Sequence, residues 1–165
     1  KKLIFSLIIF SLTFEMYSQI TKLPEVVITA VNYKYLNAVD TEDTDLSVQM
    51  LEEQVAMYDL KNSDLYDDRY DTYTVSFYIP EGRIVAAYDK DGVVIRTIEK
   101  FKNVKLPIAV TQAINERYPK WTLAKNAYSV NYYPNNAKAK KQYRVKLENN
   151  GEVIRIELDE EGDFL

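Results

Sequence analysis

The chain has 165 residues, of which 21 are Lys or Arg and 25 are Asp or Glu, for a formal charge of −4. It contains no histidine and no cysteine. That excludes the usual general base, most transition-metal sites, Ser-His and Cys-His nucleophile pairs and any disulfide framework, and the negative charge argues against nucleic acid as a partner.

The first element in chain order is "KKLIFSLIIFSLTFEMYSQ": two lysines, an apolar run over residues 3–14, then a short polar stretch. This is the layout of a secretory signal peptide, with cleavage expected after Ser18. A membrane-spanning helix needs roughly 20 apolar residues, more than this run offers. The expectation is therefore a leader over 1–18 and export to the periplasm or the exterior of a Gram-negative cell, with no membrane span in the mature chain. Residues 19–165 are expected to form one compact domain. An N-terminal segment (19–40) should carry a strand within "EVVITAVNYKYL" (25–36).

Two similar units follow, over 41–105 and 106–165. "VSFYIPEGRIVAAYDKDG" (75–92) resembles "RVKLENNGEVIRIELDEEG" (144–162). Each reads as a strand, a glycine turn, a second strand and an acidic turn closed by glycine. A helix precedes each copy. Val48, Leu51, Val55 and Tyr58 make one apolar stripe, capped by Thr44 or Asp45; Leu106, Val110, Ile114 and Tyr118 make the other, with Pro107 in its first turn. Further strands are expected near 127–133, 142–148 and 152–158, with a joint between the units around 100–105. The fold class is α+β: two tandem helix-plus-antiparallel-strand units forming one mostly antiparallel sheet, with helices packed on one side.

"YDKDG" (88–92) could pass for the start of a calcium loop. Aligning Gly92 with that loop's glycine puts Ala87 where an aspartate is needed and Ile98 at the closing glutamate position. Both ends fail, so a hairpin turn is expected. Its twin is "LDEEG" (158–162).

Strand alternation assigns the faces. Tyr143, Val145, Leu147, Ile154, Ile156 and Leu158 should point to the core, and Arg144, Lys146, Arg155 and Glu157 to water. In the first unit Val75, Phe77, Ile79, Ile84, Ala86 and Tyr88 are the core set. Thr74, Ser76, Tyr78, Val85 and Ala87 form an uncharged outer face, either covered by another part of the chain or offered to a partner.

All four glycines fall in turns, leaving none for a phosphate loop or a dinucleotide fingerprint, and no Gly-x-Ser-x-Gly elbow occurs. No cofactor, resident metal or catalytic residue is assigned. "DLYDDRYD" (64–71) places Asp64, Asp67, Asp68 and Asp71 in one loop, read as solvated acids with a loop cation as the alternative. "KAKKQYRVK" (138–146) is read as a charged edge, with docking of an acidic protein as the alternative. The candidate protein-binding residues are Tyr78, Val85, Tyr132, Tyr133, Tyr143, Lys140 and Lys141, chosen for exposed strand positions, tyrosine enrichment and basic charge.

The leader, the two helix-strand-strand-strand units, "YPKW" closing the second helix and "YRVKLENNGEVIRIELDEEG" after it resemble the PepSY-like proteins of Bacteroidota envelopes. "SFYIPEGRIVAAYDKDGVVIRTIEKF" resembles the first unit of the same group. The resemblance covers residues 40–165 and implies an architecture similar to the beta-lactamase-inhibitor protein. It further implies a non-enzymatic module that binds or restrains another envelope or secreted protein. The alternatives are an accessory subunit of an outer-membrane assembly and a carboxylate-dependent hydrolase.

Overall fold

The structure, a computed structural model, describes residues 32–41, 43–136 and 138–165. The expected leader and residues 19–31 lie outside the described residues. Helices α1 (Tyr33–Val39) and α2 (Leu46–Ala56) come first, followed by β1 (Thr72–Ile79), β2 (Gly82–Asp89) and β3 (Val94–Lys102). Helix α3 (Ile108–Arg117) then leads to β4 (Thr122–Tyr132), β5 (Lys140–Asn149) and β6 (Glu152–Leu158). The strands form one sheet in chain order, each antiparallel to the next. The class is α+β, and among the described residues no helix is long and apolar enough to cross a membrane.

Of the stretch 25–36, within which a strand is expected, residues 25–31 lie outside the described residues and 33–36 begin α1. Tyr35, Ala38 and Val39 are buried at helical spacing, and a strand would have turned Ala38 and Val39 to opposite sides. Asn32 anchors the helix start from outside. Its amide donates to the carbonyls of Ala56 and Gly92 (3.1 Å each), and its carbonyl accepts from the Val94 amide at 2.8 Å.

Helix α2 is capped by Asp45, whose carboxylate accepts from Ser47 N at 3.0 Å and from Ser47 Oγ at 2.6 Å. The same carboxylate accepts from the Lys105 amide at 2.8 Å, fastening the approach to α3 onto the start of α2. Burial alone would raise its pKa, but these donors hold it below the ordinary aspartate value. The supposed joint at 100–105 is therefore stitched on both sides. Lys100, Phe101 and Lys102 belong to β3 and pair with β4, and the Asn126 side chain brackets the backbone of Val104.

The alternation predicted for β1, β2, β5 and β6 holds. Ile84, Ala86, Tyr88, Tyr143, Val145, Leu147 and Leu158 are buried beneath the helices, and Val75, Phe77, Ile79, Ile154 and Ile156 are partly buried against them. "YPKW" is a packing device: Tyr118 meets Trp121 and Phe164 edge-on, and the Arg117 guanidinium lies 4.5 Å from the Phe164 ring centre.

The two acidic turns use one hydrogen-bond scheme. Asp89 Oδ1 accepts from the amides of Asp91 and Val93, both at 2.9 Å, while the Gly92 amide donates to the Asp89 carbonyl. Asp159 Oδ1 accepts from Glu161 and Asp163, and the Gly162 amide donates to the Asp159 carbonyl. The aspartate thus serves backbone amides in both places. Asp89→Asn keeps an oxygen in that position, so its melting temperature should match the parent with and without calcium. A calcium-dependent rise in the parent that the substitution abolishes would restore the metal reading.

Candidate functional site: the open side of the sheet

Two groups of charged side chains lie on opposite sides of the sheet. The group on the helix side is closed. Glu99 on β3 points inward with Thr97 and Phe101, in register with Ile84 and Ala86; it is 0% exposed. Its Oε1 accepts from the Tyr35 hydroxyl at 3.0 Å and from Thr97 Oγ1 at 2.6 Å. Glu52 of α2, 2% exposed, lies next to it.

Glu99 Oε2 and Glu52 Oε1 are buried and accept from no donor among the described residues, as fits two neighbouring carboxyls that share a proton. Desolvation, reinforced by the Glu99 charge and only partly offset by Lys141, pushes the Glu52 pKa up to about 10. Glu99 is also raised by burial, against the pull of its Thr97 and Tyr35 donors. Glu99, which accepts from two hydroxyls, is therefore the better-stabilised anion, and the proton lies towards Glu52. A perturbed carboxyl pair is a pattern that catalytic sites show. Here Tyr35 and the helices cover it, and a substrate would have to displace them. It acts in this arrangement as a latch between α1, α2 and the sheet.

The group on the other side is open. Thr74, Ser76 and Tyr78 are exposed, and Val85 and Ala87 are partly so. The expectation of an uncharged outer face needs correction, because alternation also brings Arg83 to this side, directly opposite Tyr78. Reading on across the register, Arg83 faces Lys100, Ala87 faces Arg96, and Asn131 faces Lys140. Over the second unit one row runs Lys125, Lys146, Arg155 and the next runs Lys102, Ala127, Arg144, Glu157. A shallow hollow of about 680 Å³ lies over β4, β5 and β6, lined by Lys125, Ala127, Arg144, Lys146, Arg155 and Glu157 among others.

Only part of this charge is balanced locally. Arg144 Nε meets Glu157 Oε1 at 2.7 Å and Lys146 Nζ meets Glu148 Oε1 at 2.5 Å. Among the described residues Lys125 and Arg155 have no ion-pair partner. Three cations side by side on neighbouring strands are only about 5 Å apart in the pairing direction and repel one another.

The seven candidate residues divide between the two sides. Tyr78 (67% exposed), Val85, Tyr133 and Lys140 lie on the open side, and the Arg96 guanidinium sits 5.5 Å over the Tyr133 ring. Tyr132, Tyr143 and Lys141 are buried and form no part of an accessible surface. Tyr132 meets Tyr35 edge-on, Tyr143 stacks on Tyr128 at 4.6 Å, and Lys141 Nζ pairs with Glu160 at 2.8 Å. Lys141 shares the inward parity of Tyr143 and Val145, which overrides its membership of a basic run.

Arg83, Arg96, Lys100 and Lys125 were missed. Arg83 would have emerged from completing the alternation of β2, and the others from carrying it through β3 and β4. In the loop at 64–71, Asp67 is engaged by the Arg69 guanidinium, with Arg69 Nε 2.9 Å from Asp67 Oδ1. No three acidic groups converge among the described residues. No family model, curated protein or solved structure matches this chain.

Proposed function

We propose that this protein is an exported, non-enzymatic binding module that docks an acidic surface of another envelope or secreted protein on the open side of its sheet. The observation that carries the reading is the Lys125, Lys146, Arg155 row. A chain of net negative charge gathers cations on one face and, among the described residues, leaves two of that row without an ion-pair partner, an arrangement that an anionic partner relieves. Tyr78, Tyr133 and Ala127 supply apolar and aromatic area among the charges, as interfaces require. The helix-strand-strand-strand units support the PepSY-like reading, and with it a protein rather than a small molecule as the partner.

The test is a double charge reversal, Lys146→Glu with Arg155→Glu, on side chains that take no part in the core. Native bait should retain acidic envelope proteins at low salt and release them at high salt. The variant should fold as the parent does and lose about 2 kcal/mol or more of binding, a factor of about 30. Equal capture by both baits would defeat the assignment. So would retention of a polyanionic glycan in place of protein.

A further inference from the structure

We propose that β1 seats a second copy of this chain, β1 against β1 antiparallel, so that two sheets become one. The inference stands apart from the proposed docking of an acidic protein, since it concerns the sheet's edge and not its face.

The two edges of the sheet differ. At β6 the edge carries Glu152, Arg155 and Glu157, and the chain folds back on it. Phe164 bridges Leu158, and the Leu165 amide donates to the Glu157 carbonyl at 2.9 Å. Charges and a returning segment are the usual protections of an edge strand. β1 has neither. Its eight residues, "TYTVSFYI", contain no charge, proline or glycine, and its register with β2 runs unbroken from Thr72 to Ile79 without a bulge. Among the described residues β2 is its only strand neighbour. Along the helix side Val75, Phe77 and Ile79 are only partly buried, an apolar rim beside a row of backbone groups that no described residue pairs.

The occupant follows from the strand's own symmetry. When two copies pair antiparallel about a two-fold axis, opposed residues must lie on the same side of the joined sheet. Centring the axis on Ser76 satisfies this. It sets Tyr73 opposite Ile79 and Val75 opposite Phe77 on the helix side, each an aromatic ring against a β-branched chain, a favourable cross-strand combination. On the open side Thr74 meets Tyr78, and Ser76 meets Ser76. A shift of the centre to Val75 would place Asp71 against Ile79.

The ends agree as well. β1 is preceded by the loop bearing Asp64, Asp67, Asp68 and Asp71, with Arg69 the only cation from 64 to 71. Its far end lies beside Arg83, Lys100 and Lys102, which outnumber Glu81. Antiparallel pairing brings the acidic end of each copy to the basic end of the other.

Sedimentation of the full chain over about a hundredfold range of concentration should show a reversible monomer–dimer equilibrium. Ser76→Lys and Ser76→Glu, both at an exposed position, should each raise the dissociation constant about tenfold with melting unchanged, because each sets like charges opposite one another across the axis. Mixing the two variants should restore pairing. In the parent, the β1 amides that point away from β2 should exchange slowly with solvent only where the dimer forms. A chain that stays monomeric at every concentration would overturn the proposal, whether its β1 amides exchange fast or are already protected. A dimer indifferent to both Ser76 variants, or a mixture that fails to recover, would overturn it equally.

Discussion

Glu52→Gln should flatten the dependence of stability on pH and leave the variant the more stable protein in alkaline solution. In the folded chain burial holds the Glu52 pKa at about 10, against 4.5 for the free side chain. The folded state therefore binds a proton that the unfolded state releases, and stability must fall as pH rises between those two values. The slope is up to about 1.4 kcal/mol per pH unit for one proton.

Glutamine removes the Glu52 titration and leaves that of Glu99, whose pKa burial also raises. It also keeps an N–H donor for Glu99, whose Tyr35 and Thr97 bonds persist. Urea unfolding at several pH values from about 5 to 9 reads the effect directly. Parallel curves for the two proteins would mean that Glu52 is ionised in the fold and the shared-proton account is wrong.

Gly162→Ala should be among the most damaging single changes, and Gly92→Ala a milder one, although the two glycines close twin turns. Both have left-handed backbones, with φ of +91° and +80°. A side chain there costs about 1–2 kcal/mol from its own backbone contacts. At Gly92 the added carbon finds its nearest neighbour, Leu60 Cβ, at 4.0 Å. At Gly162 it would stand 2.8 Å from the Ala109 carbonyl oxygen in the first turn of α3. Helix or turn must move, at a further cost of about 1–3 kcal/mol. Denaturant midpoints of the two variants measured side by side decide the matter. Equal losses would show that α3 is not seated on the second turn.

The hairpins, their turns and the core rows of β1, β2, β5 and β6 were legible because period-two apolar patterns and Asp-Gly or Glu-Gly closures are local signals. The polar interior was visible in position but not in meaning. Glu52 sits four residues after Val48 and three before Val55, on the apolar stripe of α2, and Glu99 shares the parity of Phe101. Carboxylates at such positions read as surface residues until a partner is known, and the partner lies 47 residues away on another element. Lys141 follows the same rule, for its inward parity makes sense only with Glu160 beside it. The open-side cations come from five strands, Arg83 and Lys100 facing Lys125 and Arg155 across the sheet's breadth. No window of sequence contains them together, so the candidate surface was found only where alternation had been carried through. α1 was not foreseen because "VNYKYL" favours strands locally, while the burial of Ala38 and Val39 and the anchoring of Asn32 are tertiary.

Strand order and chain order coincide from β1 to β6, and that has a kinetic consequence. Four of the five ladders join strands linked by a turn or a short loop, which close as local hairpins on a timescale of about microseconds. The fifth, β3 with β4, must wait for the excursion through α3, the largest loop-closure entropy in the sheet. Contacts this local favour rapid assembly compared with Greek-key sheets. The rate should then be governed by how readily residues 103–121 double back. Loosening the Asp45–Lys105 or Asn126–Val104 fastenings should slow refolding if they form before the barrier, while changes within the outer hairpins should act mainly on unfolding.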